Sequence, residues 1–168
     1  QDGNNNPYCQ DNDIAWFNWD DVTKNAEMLT FAQRVIALRK NHQVFRRRTF
    51  FGGMNTSSSV FQLDISWHDY DGKVPDWKKM NRFLGMRLGG NLGSGNKTDS
   101  DFYIAFNTDI HDKTLVIPPP SSGRKWYRVV DTSIEGESAA LAAGKEELLD
   151  LQEKYVLPAN SVLVLLSR

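Results

Sequence analysis

Apolar side chains first fall into a regular spacing at residues 28–38, where Met28, Phe31, Val35 and Leu38 recur every three or four positions. That period matches the turn of an α-helix with one apolar stripe. Leu29, Ala32 and Ile36 widen the stripe, while Lys24, Glu27, Gln33, Arg34 and Lys40 fall mostly off it. Asp20 or Asp21 can cap the first turn, and Arg39, Lys40 and His42 suit the negative pole of the helix dipole at the far end. The pattern predicts a helix over residues 21–41. Its broad apolar face needs a partner surface, and nothing nearby in the chain obviously offers one.

On either side the texture differs. Residues 1–19 hold no period and are rich in Asn, Asp and aromatics, which reads as an ordered surface loop. Residues 49–53 predict a short strand ending at Gly52-Gly53, and residues 54–59 a flexible polar linker. Val60, Ile65 and Trp67 mark a further strand, closed by the turn signal Tyr70-Asp71-Gly72-Lys73. Strands are then predicted at 83–88, 102–106, 114–117, 126–130 and 161–166, with a Gly/Asn/Ser loop at 89–100. Short strands at such intervals predict an antiparallel sandwich. Residues 138–154 break the pattern: they are rich in Ala, Leu, Glu and Lys and predict a short helix near 145–153, although Gly144 opposes it. The organisation expected is a first unit at 1–48, a connecting segment with short strands at 49–82, and a sandwich at 83–168.

Composition narrows the possible partners. Twenty basic against 21 acidic residues leave a net charge of -1, so no overall field favours nucleic acid or an anionic membrane. The run Arg46-Arg47-Arg48 reads as a solvated element end. Cys9 is the one cysteine and closes no internal disulfide; without a partner base it reads as a packed or idle thiol. His42, His68 and His111 are scattered, so neither a metal nor a cofactor is expected. No stretch approaches the roughly 18 apolar residues of a membrane helix. The polar opening carries no signal-peptide pattern, and the chain is expected to begin inside a loop.

Candidate chemistry gathers in residues 3–12, Gly-Asn-Asn-Asn-Pro-Tyr-Cys-Gln-Asp-Asn, leading to Trp16-Phe17-Asn18-Trp19. A sugar ring presents hydroxyls at its rim and C–H groups on its faces. Planar amides and carboxylates bind the rim while an aromatic ring stacks on the face. Asn6, Tyr8, Asp11 and Asn12 are therefore the candidate substrate-binding residues. Composition leaves a second reading open, in which the Asn residues make local turns and Tyr8 packs beneath the loop. Trp16 and Trp19, flanking the helix start, read as core; Trp67 and Trp77 read as anchors of a domain junction. Of Trp126 and Tyr127, adjacent on a strand, one is expected buried and the other exposed. Asp11 and Asp13 have no evident means of raising a pKa for acid catalysis and are not assigned as a catalytic pair.

Residues 3–12 followed by Ile14-Ala15-Trp16-Phe17-Asn18-Trp19 resemble the loop after the eighth barrel strand in isoamylase-type debranching enzymes of the alpha-amylase superfamily. Phe31-Ala32-Gln33-Arg34-Val35-Ile36-Ala37-Leu38-Arg39-Lys40 is similar to the family's eighth barrel helix. Ile65-Ser66-Trp67-His68, Asp71-Gly72 and Asp76-Trp77 resemble its next signature. Ala105-Phe106-Asn107, Pro118-Pro119-Pro120, Trp126-Tyr127-Arg128-Val129 and Asp131-Thr132 resemble its C-terminal domain. The resemblance keeps family order along nearly the whole chain.

What it implies is a mainly β chain: the last loop and helix of a (β/α)8 barrel, then a C-terminal antiparallel β-sandwich. The helix stripe would then dock on a barrel outside this chain. The implied activity is retaining hydrolysis of α-1,6 branch points in glycogen or amylopectin, by carboxylates about 5 Å apart. In the family pattern these lie on earlier barrel strands, so no catalytic residue is assigned here. The implied partners are a branched alpha-glucan and the catalytic barrel of the same protein, with no nucleic acid and no membrane; the cytoplasm is the expected compartment. The alternative expectation is a noncatalytic carbohydrate-binding or scaffold β-sandwich module.

Overall fold

The structure, a computed structural model, describes residues 11–53, 63–79, 81–90 and 99–168. It is mainly β with a small helical content. Six antiparallel strands make one open sheet in the order β1-β2-β3-β8-β5-β6, formed by Ile65–His68, Phe83–Leu88, Phe102–Asn107, Ser161–Ser167, Trp126–Asp131 and Glu147–Leu148. A second sheet pairs β4, Lys113–Val116, with β7, Lys154–Leu157. This is an open β-sheet arrangement of the β-sandwich kind.

Period-two alternation sends each strand's side chains to two faces. From β3, Tyr103 and Ala105 join Phe83, Trp126, Leu163 and Leu165, and Leu115, Ile117, Leu149 and Leu157 close over them. Phe102 turns the other way and packs with Leu88, Leu166, Val129 and Val130. Two successive valines share that face because the β5–β8 register shifts between Arg128 and Val130.

The second face carries the helical part. A short helix α1, Asp21–Lys24, breaks at Asn25 (φ -113°, ψ 34°) before α2, Ala26–Asn41. A 3-10 turn follows at Gln43–Arg46 and buries Val44. Phe31 and Leu38 of α2 pack on the sheet, which corrects the expectation that the helix finds no surface in this chain. Arg34 fastens the contact: its guanidinium donates to the carbonyls of Glu137 (2.5 Å) and Ala140 (2.8 Å) and pairs with the Glu137 carboxylate (2.6 Å). The rest of the stripe stays outside. Met28, Leu29, Val35 and Ile36 are exposed.

Other expectations give way as well. Residues 49–53 form no strand. The helix expected near 145–153 is absent; that stretch holds β6 and, beyond it, the unforeseen strand β7. Trp126 is fully buried and Tyr127 half-buried. Among the described residues no helix is long and apolar enough to cross a membrane.

Candidate functional site

The described part of the opening loop is shaped by its short polar side chains. Asn12 accepts the Ile14 N–H through Oδ1 (3.1 Å), and its carbonyl accepts the N–H groups of Ala15 (2.9 Å) and Trp16 (3.0 Å). That is an Asx turn, the role such residues take when they replace a backbone hydrogen bond. The turn swings Trp16 back so that its indole N–H donates to Asp11 Oδ1 at 2.8 Å. Asn18 repeats the device, with Oδ1 accepting the Asp20 N–H (3.1 Å) at the approach to α1.

Asp11, Asn12 and Trp16 are thus brought together, while Asn6 and Tyr8 lie outside the described residues. Trp16 and Trp19 are not core: they are 61% and 77% exposed, and Trp19 meets Phe17 edge to face at 5.1 Å between ring centroids. Nothing in the sequence says which way they face. The helical stripe does not extend back to either, so no element period turns them inward. The loop therefore offers exposed indole faces beside a carboxylate.

Carboxylates deeper in the fold serve the frame. Burial pushes the Asp64 carboxyl up, but the Gly52 N–H, the Arg47 guanidinium and the Gly53 N–H outweigh it and hold its pKa below the ordinary value. Asp101 is alike: burial opposes ionisation, and the Gly90 N–H, Ser121 and Arg87 overcome it. At Asp99 burial is again outweighed, here by His42 at 2.6 Å and the N–H groups of Val44 and Ser100. A general acid needs the reverse, a carboxyl held protonated near neutrality. Among the described residues no group of three or more His, Cys, Asp or Glu is placed to hold a metal.

A cleft of about 710 Å³ lies between the α1–α2 break and the exit of β5, with Asn25, Glu27, Met28 and Phe31 on one side and Thr132 and Gly136 on the other. It opens next to the exposed face of α2.

Known proteins resemble this chain in sequence and in fold. A protein from Mycobacterium tuberculosis named glycogen operon protein GlgX homolog is 34% identical over 175 residues, covering 98% of this chain and 23% of that protein. An isoamylase from Pseudomonas amyloderamosa is 30% identical over 169 residues, covering 98% of this chain and 21% of that protein. The chain thus spans less than a quarter of the length of these relatives. Among solved structures, type I pullulanase from Bacillus subtilis complexed with maltose superposes with a TM-score of 0.55 at 16% identity, over 89% of this chain and 17% of that one. That likeness shows a shared fold. The family model described as "Isoamylase, C-terminal" matches residues 64–166, more than half of the chain, from β1 into β8. The chain therefore belongs to the isoamylase C-terminal family.

Proposed function

We propose that this chain works as a noncatalytic β-sandwich module within a longer glycoside hydrolase of the debranching type. The observation that carries this reading is the outer face of α2. Met28, Leu29, Val35 and Ile36 form an exposed apolar surface on a helix that Arg34 already fastens to the sandwich. Such a surface on one side of a firmly held element is a docking face. The occupant we propose is a catalytic (β/α)8 barrel carried by the same polypeptide, with α2 as its last outer helix. That the relatives are several times longer than this chain supports the reading.

In the finer form of the proposal, the whole protein cuts α-1,6 branch points of glycogen or amylopectin by a retaining mechanism in the cytoplasm. The module contributes one wall of the cleft. Asn6, Tyr8, Asp11 and Asn12 remain the proposed glucan contacts, and the exposed indoles of Trp16 and Trp19 join them. Asn12 has a structural part in this: it sets the turn that presents Trp16.

The test is release of new reducing ends from amylopectin. The chain alone should release none, whereas a polypeptide carrying it behind its barrel should release them. Turnover by the chain alone would overturn the reading.

A further inference from the structure

A second aromatic surface stands at the opposite edge of the sheet from the β5 end, and its surroundings differ from those of α2. Trp67 of the edge strand β1 and Trp77 of the loop after it meet edge to face, with centroids 5.9 Å apart and planes at 81°. Both reach solvent, Trp67 with 36% of its surface and Trp77 with 65%. The loop that carries Trp77 is tightly held. The Asp69 carbonyl accepts the Gly72 N–H (2.9 Å), and the Asp69 N–H donates to the Lys73 carbonyl (2.7 Å). The Tyr70 carbonyl accepts the Val116 N–H (2.8 Å), tying the loop to β4. Gly72 sits at φ +81°, where any Cβ would meet Val116 Cγ1 at 2.9 Å. On the far side of the loop, Asp76 Oδ1 accepts the Lys78 N–H (3.1 Å), setting the turn that holds Trp77.

Charge decides what this surface takes. Asp69, Asp71, Lys73, Asp76, Lys78 and Lys79 all fall within residues 69–79, the stretch that carries Trp77, and Asp76, Lys78 and Lys79 lie within two positions of it. Lys73 pairs with Asp71 (2.6 Å) and Lys79 with Asp76 (3.3 Å), and both ammonium groups remain largely in water. A protein partner seated on Trp77 would have to strip these charges of solvent, at a cost the pairs do not return. A hydrated ligand would not. An α-linked glucan gives its C–H faces to indoles and its hydroxyls to carboxylates and ammonium groups, and keeps much of its own water. Its successive rings are not coplanar, so two indoles at an angle can each take one.

We infer that Trp67 and Trp77 form a glucan-holding platform separate from the loop at residues 11–20. The inference rests on the glucan reading above, since it takes its ligand class from there. The platform retains a linear stretch of the polysaccharide and does no chemistry.

Affinity electrophoresis of the 168-residue chain tests it, in gels with and without amylopectin. The wild-type chain should be retarded by the polysaccharide. Trp77→Ala, at an exposed position, should keep its melting temperature and bind roughly fivefold more weakly or worse, the loss of one aromatic contact. Trp77→Phe should recover part of the retardation. Equal retardation of Trp77→Ala and wild type overturns the platform, as does no retardation of wild type. A wild-type dimer that Trp77→Ala dissolves in sedimentation overturns it in favour of a second copy. The debranching reading fails separately: if the longer polypeptide cleaves no α-1,6 bond in a short branched oligosaccharide, that reading falls while the gel result stands.

Discussion

The six-stranded sheet has two faces that are finished differently. One is sealed within the chain: Tyr103, Ala105, Leu163, Leu165 and Trp126 are fully buried under Leu115 and Leu157 of the small sheet. On the other, among the described residues, Phe31, Leu38 and Val44 lie against Phe102 and Leu166, while Phe106 farther along β3 stays 38% exposed. A face that closes on itself specifies a fold. A face that stops half-covered, with an apolar helix flank beside it, has room for the neighbour proposed above. The two kinds of face should respond differently to mutation, and that difference is measurable.

The largest effect belongs to the sealed face. Trp126 is fully buried, and its indole N–H donates to the Pro118 carbonyl at 2.8 Å. Trp126→Ala should destabilise the chain by about 3–5 kcal/mol in urea unfolding, through the cavity it leaves and the carbonyl it strands. Phe31→Ala on the half-covered face should cost less, because Phe31 already meets solvent on one side. Equal losses at the two positions would erase the distinction between the faces.

Trp126 also shows why part of the fold was illegible in the sequence. Strands β2, β3, β5 and β8 were foreseen because short apolar runs bounded by turn-forming segments need nothing distant to reveal them. The stretch at residues 138–154 has helical composition, yet its backbone is captured by β5. Gln152 Oε1 accepts the Trp126 N–H (2.6 Å) and its Nε2 donates to the Trp126 carbonyl (3.1 Å), so one side-chain amide stands in for a strand residue. Leu149 adds its own N–H to the Trp126 carbonyl (3.1 Å). Gly144, at φ +85°, is a turn that a helix could not contain. Tertiary contacts of this kind outweigh helix propensities of under 1 kcal/mol per ordinary residue. The candidate loop was legible in its chemistry but not in its exposure, since Trp16 and Trp19 carry no period that says which way they face. Arg34 was placed mostly off the apolar stripe, and its grip on Glu137 and Ala140 across more than a hundred residues had no local signal.

Acid should sharpen the contrast with a middling effect. His68 sits on the sealed side, its ring 6.1 Å from that of Tyr103; burial, then the Arg87 charge, lowers its pKa despite the Gly72 carbonyl. Its folded pKa lies below the unfolded value of 6.5, so the unfolded chain binds the extra proton first. Stability from this group is complete above about pH 6.5 and declines as pH falls through the folded value. Asp99, which joins the 3-10 turn to β3 on the other side, has its folded pKa below 3.8. Its contribution survives until the carboxylate range and is lost only as pH falls through that lower value. Melting temperatures measured from pH 7 downward should therefore fall in two stages. His68→Asn should flatten the first stage and leave the second. An unchanged first stage would remove His68 from the account.

The smallest effect on the chain itself should carry the most information about its neighbour. Ile36 is 54% exposed on the outer flank of α2, away from Phe31 and Leu38. Ile36→Lys removes no internal packing of note, and lysine is at least as good a helix former, so the stability of the 168-residue chain in urea unfolding should change by no more than about 0.5 kcal/mol. In the longer polypeptide the same ammonium group would be forced into the proposed apolar contact with the barrel, where an unpaired charge costs several kcal/mol. The variant should there lower the unfolding temperature or separate the two units in limited proteolysis, with Phe31→Ala as the contrasting case that weakens both forms. If Ile36→Lys is silent in both, the flank of α2 is ordinary surface, and the half-covered face has some other purpose than docking.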